Sequence, residues 1–114
     1  MGDAPTGFLA RHVETFNEAV ENGDFDPLVA LFHDDAILAF TGIPIGPFEG
    51  REAIAAAYAT QPPTDTMSIL AVRVEGDGTV VEDFSWSADG GARSGQMRLT
   101  VANERILRLD VSFG

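Results

Sequence analysis

Residues 79–113 alternate apolar and polar side chains through three runs separated by short turn sequences. A period of two puts alternate residues on opposite faces of an extended strand, so each run offers one face to a core. In "TVVEDFSWSA" (79–88) that face carries Val80, Glu82, Phe84, Trp86 and Ala88. In "QMRLTV" (96–101) it carries Met97, Leu99 and Val101, and in "RILRLDVSF" (105–113) Leu107, Leu109, Val111 and Phe113. The breaks "DGGARSG" and "ANE" are too short for anything but hairpin connections. A further strand, "TMSILAVRVE" (66–75), precedes them and is closed by "GDG". Together these predict a four-stranded antiparallel meander.

The first half of the chain reads differently. Leu9, Val13, Phe16 and Val20 recur at helical steps and predict a helix over 8–22, with Thr6 as its N-cap and "NGD" as its stop. Asp26 followed by Pro27 starts a second, short helix carrying Leu28, Val29, Leu31 and Phe32, which Asp34 and Asp35 end. "AILAFT" (36–41) is a short apolar strand, and the Gly/Pro-rich 42–50 is a loop. An alanine-rich helix follows over 51–60. Helices first and a meander after predict an α+β domain, with helices on one face of the sheet.

At 114 residues one domain, 1–114, is expected, with residues 1–7 disordered. The absence of cysteine excludes disulfides, thiolate metal sites and cysteine nucleophiles. Two distant histidines, His12 and His33, give no metal-ligand spacing, so no metal is expected. A net charge of −11 opposes a phosphate backbone and argues against nucleic acid. No apolar run approaches the length of a membrane helix, and no leader pattern opens the chain; a cytoplasmic, membrane-free setting is expected.

"FNEAVENGDFDPLVALFHDDAIL", "GPFEGREAIAAAY" and the terminal "RLDVSFG", in this order, resemble the nuclear transport factor 2-like superfamily. Within it the chain is most similar to the ketosteroid isomerase and polyketide cyclase (SnoaL-like) branch. The resemblance implies a cone of strongly bent, mostly antiparallel sheet closed by three N-terminal helices. It also implies an apolar pocket for a hydrophobic small molecule, and a homodimer. The catalytic trio of ketosteroid isomerases falls on Phe16, Phe40 and Met97 (Gln96 in a slipped register). Phe and Met neither move protons nor donate hydrogen bonds, so the scaffold is kept and that chemistry is not.

The implied function is a cofactor-free enzyme, isomerase- or cyclase-like, acting on a hydrophobic substrate by acid/base chemistry. The alternative is a non-catalytic binding module. Glu82 is the acid/base candidate: facing a cavity it would have a raised pKa, whereas at an open strand end its carboxylate would sit in water. The ligand-binding candidates are Phe16, Phe40, Tyr58, Phe84, Trp86, Met97, Val111 and Phe113, each of which would otherwise be ordinary core. Ile43, Pro44, Ile45 and Phe48 form an apolar lip or a dimer contact. Arg73, Arg98, Arg108, Asp83 and Asp110 share the other strand face, where ion pairs are expected in place of the Asp–Arg–Asp group of superfamily epoxide hydrolases. His12 reads as a boundary residue and His33 as a solvated corner. Met67, Ile69 and Ala71 are placed on the outward face of strand 66–75, as a surface for the homodimer.

Overall fold

The computed structural model describes residues 5–75 and 79–113. The expected disorder of residues 1–4 and the turn at 76–78 lie outside them. The helices are α1 (Pro5–Asn22), α2 (Asp26–Val29) and α3 (Arg51–Thr60). The strands are β1 (Phe32–Thr41), β2 (Phe48–Glu49), β3 (Met67–Val74), β4 (Thr79–Trp86), β5 (Gly95–Ala102) and β6 (Arg105–Phe113). They form one sheet in the order β2-β1-β6-β5-β4-β3. Among the described residues only the β1–β6 pairing is parallel, so the sheet is mixed, as expected for this α+β class.

The helices cover one face. α3 packs on β1, and α1 lies against β3 and β4. Asn17 of α1 fixes the start of β3: its Nδ2 donates to the Met67 carbonyl at 2.9 Å and its Oδ1 accepts from the Met67 N–H at 2.9 Å. This clamp satisfies the first backbone groups of an edge strand and sets the distance between helix and sheet. Phe8, Leu9, Leu28, Phe32, Ile54, Phe84, Leu99 and Ile106 are large apolar side chains fully buried in the core.

Several expectations are corrected. α1 begins at Pro5, so Thr6 lies inside the helix and residues 5–7 are its first turn. Asp26 does not cap α2; it is the first helical residue, and the Asp24 carboxylate accepts its N–H at 3.1 Å. β1 starts at Phe32, so His33, Asp34 and Asp35 belong to the strand and end no helix. A two-residue strand, β2, interrupts the expected loop 42–50.

Three irregularities shift strand parity. The β3–β4 register slips between Ile69 and Ala71, leaving Leu70 as the extra residue. Ile69 therefore pairs with inward-facing Phe84, and Met67 is buried, so the outward row of Met67, Ile69 and Ala71 does not exist. A second slip between Thr100 and Val101 leaves Leu107 opposite nothing; Leu107 is exposed and Ile106 takes the buried place. The third lies between Phe32 and Ile37 of β1. An extra residue on one strand bends it and increases its twist, and these irregularities curve the sheet around the space beneath the helices.

Candidate functional site

The curved sheet and its helices form an open-mouthed cavity of about 900 Å³. Six aromatic rings follow one another around it. Phe16 stands 6.0 Å from Trp86, Trp86 5.2 Å from Phe84, and Phe84 6.3 Å from Phe113. Phe113 stacks on Phe40 at 6.5 Å, and Phe40 meets Phe48 edge-on at 6.5 Å. The strand residues arrive by alternation: Phe40 from β1, Phe84 and Trp86 from β4, Met97 from β5, Val111 and Phe113 from β6. Phe16 enters from α1 and Tyr58 from α3, where Tyr58 also stacks on Phe25 at 5.4 Å. All eight residues named from the sequence thus line the cavity, among them Phe16, Phe40 and Met97, the positions onto which the resemblance places the ketosteroid isomerase trio. Pro44, Ile45 and Phe48 of the expected lip line it as well.

The polar part of the wall is small. Asp65 accepts the Ala88 N–H at 2.9 Å, and Asp89 accepts the Ser94 hydroxyl, so both carboxylates are engaged with the loop after β4. Gln61, Thr60 and Thr64 complete it with Tyr58, whose phenol burial pushes above its ordinary range.

His12 also lines the cavity, and this the sequence reading missed. It is 1% exposed, and neither ring nitrogen has a hydrogen-bond partner. Burial lowers its pKa to about 4, so the imidazole is neutral at physiological pH. The signal was present in the sequence. Phe8, His12 and Phe16 stand four residues apart, a row parallel to Leu9, Val13 and Val20, and the apolar stripe is two rows wide.

Glu82 is buried at 1% exposure, and both carboxyl oxygens lack a partner. It therefore does not sit with its head in water. Burial pushes its pKa up to about 8, so at neutral pH the acid is mostly protonated. It is not part of the cavity wall, however. Its cross-strand neighbour Met97 and its same-face neighbour Phe84 are.

The other candidates lie elsewhere. Asp83 accepts from Arg93 at 3.1 Å, a hydrogen bond that holds its carboxyl below the usual range. Arg98 pairs with Glu75, and Arg108 with Asp110 at 2.9 Å. These are solvent-facing ion pairs, and none of their residues lines the cavity. His33 Nδ1 accepts the Asp35 N–H at 3.1 Å, and Asp34 pairs with Arg51 at 2.6 Å. Among the described residues, no cluster of three or more His, Cys, Asp or Glu could hold a metal, and no helix is long and apolar enough to cross a membrane.

The fold is shared with solved structures of low identity. An epoxide hydrolase/cyclase-like enzyme, SalBIII, described as acting in pyran ring formation in the polyether salinomycin, has a TM-score of 0.76 at 19% identity. That match covers 96% of this chain and 90% of SalBIII. A nuclear transport factor 2-like protein of unknown function from Cytophaga hutchinsonii has a TM-score of 0.73 at 15% identity, covering 100% of this chain and 93% of that one. A proposed polyketide cyclase from Sinorhizobium meliloti has a TM-score of 0.62 at 23% identity, covering 89% and 93%. No curated protein matches the chain by sequence. The SnoaL-like domain family, by contrast, matches residues 13–109, nearly the whole described fold from α1 to β6. On that match and on its architecture, the chain belongs to the SnoaL-like domain family.

Proposed function

We propose that the chain binds a hydrophobic small molecule in this cavity and catalyses a proton transfer on it, with Glu82 as the acid or base. The observation that carries the proposal is the apolar cavity with an unpartnered, buried carboxyl behind its wall, cross-strand from Met97, which a substrate must displace to reach it. A buried acid with a pKa near 8 can give or take a proton close to neutral pH, where general acid/base catalysis is most effective. Such chemistry calls for no cofactor. Solved neighbours described as cyclase-like enzymes share the scaffold, which supports an isomerase- or cyclase-type reaction.

A second reading rests on an equally specific observation. Phe84 and Met97 line the cavity and Glu82 does not, so a ligand can fill this space without touching the buried acid. The protein is then a binding module on the same scaffold.

One experiment separates them. The chain is incubated in heavy water with a panel of hydrophobic ketones, and protein-dependent deuterium uptake next to the carbonyl is followed by mass spectrometry. The enzyme reading expects uptake for at least one ketone, with the Glu82→Gln variant slower by about 100-fold or more, the usual contribution of a general acid or base. Uptake that survives Glu82→Gln contradicts the assignment of Glu82. Binding without any uptake supports the module.

A further inference from the structure

We propose that His12 is the point at which the cavity holds the polar end of its ligand, and that this end is an uncharged hydroxyl. The inference rests on the cavity being a ligand site, as proposed above, and adds the chemistry of what it accepts.

His12 contributes to the cavity wall from the middle of α1, one turn from Phe8 and one from Phe16. It is buried, and neither Nδ1 nor Nε2 has a partner. Buried polar groups are ordinarily satisfied, because an unmade hydrogen bond leaves the whole desolvation cost uncompensated. A neutral imidazole carries one N–H and one bare nitrogen. A hydroxyl serves whichever of them faces the ligand: it donates to the bare nitrogen and accepts from the N–H. A carbonyl serves only the second.

Charge decides against the alternatives. Among the described residues the wall contains no lysine or arginine, and its charged side chains are Asp65 and Asp89. A carboxylate ligand would lose its water in an apolar space, meet no cation, and face two carboxylates of like sign. The net charge of −11 adds to that repulsion. Aliphatic ammonium ions could pair with Asp65 or Asp89, each of which accepts one hydrogen bond and keeps further lone pairs. At His12, however, an ammonium can serve only a bare nitrogen, since it has nothing to accept the N–H, and it would lose its water in an apolar space.

The test compares octanol, octanoate and octylammonium, which share one apolar body, by displacement of the neutral fluorescent probe N-phenylnaphthylamine. Wild-type protein is expected to bind octanol tighter than either ion by about tenfold or more, the value of one buried hydrogen bond set against an unsatisfied group. His12→Phe should weaken octanol by about tenfold once each affinity is corrected for the variant's own affinity for the probe. His12→Gln, which keeps a donor and an acceptor, should retain most of the octanol affinity. Octanol should also shift a His12 ring-nitrogen NMR resonance of the wild-type chain, a readout independent of how any variant folds. Equal binding of octanol and octanoate, tighter binding of octylammonium, or an unmoved His12 resonance under saturating octanol overturns the inference while the probe still reports a ligand site. If the probe itself does not bind, the cavity reading fails and the inference falls with it.

Discussion

Replacing Glu82 with Gln is expected to stabilise the protein by about 4 kcal/mol near pH 8 and to change little near pH 4. The folded chain holds the Glu82 proton up to about pH 8, whereas the group has an ordinary pKa of 4.5. Between those values the unfolded state binds fewer protons than the folded one, so stability falls as pH rises, and the loss is complete above the folded pKa. Gln keeps the neutral amide in place of the neutral acid and has no proton to lose. His12 acts in the opposite sense, because burial lowers its pKa from 6.5 to about 4. Through that window the unfolded state binds more protons, so stability falls as pH drops. In the wild type the two slopes oppose one another between 4.5 and 6.5, giving a plateau, and Glu82 alone lowers stability above it. Denaturant unfolding of wild type and Glu82→Gln across pH 4–8 measures this. Coincident curves would place the carboxyl in water and contradict its burial.

Gly95→Ala is expected to cost about 2–4 kcal/mol, although it adds one methyl group. Gly95 opens β5, paired with Phe84 on one side and Phe113 on the other. A Cβ here would overlap the Ser112 carbonyl oxygen and stand 3.1 Å from Phe84 Cε1. The carbonyl belongs to the backbone of a paired strand and cannot turn aside, so the strands must part or Phe84 must leave its place in the cavity wall. Gly90→Ala provides the contrast. It meets nothing within 4 Å, and its left-handed φ of +63° costs only about 1 kcal/mol. Thermal melts of both variants check the ranking; a Gly95→Ala protein as stable as Gly90→Ala would show that β5 and β6 are less closely apposed.

Local patterns made much of this legible. α3 and β6 have the expected bounds because helical and period-two signals are read within a dozen residues. The aromatic wall followed from the same alternation on β4 and β6. What escaped were features set by distant partners. β1 runs back to Phe32 through His33, Asp34 and Asp35 because β6 pairs with it in parallel, and the Ile106 N–H donates to the Leu31 carbonyl at 2.8 Å. Nothing near Asp34 announces that pairing. Leu70 and Leu107 carry ordinary strand side chains, yet each is the extra residue where parity reverses, and one unseen bulge reassigned Met67 and Ile69. His12 was misplaced for another reason: histidine is usually assigned to a surface boundary, and Phe8 was left out of the stripe that would have drawn it inward.

The most direct test of a ligand cavity uses the chain's only tryptophan, Trp86, which stands in the wall. N-phenylnaphthylamine absorbs where tryptophan emits, so energy transfer from Trp86 reports a probe seated beside it. The structure predicts saturable transfer at one probe per chain, reversed by octanol. Transfer that never saturates, or none at all from a folded protein, would contradict the account.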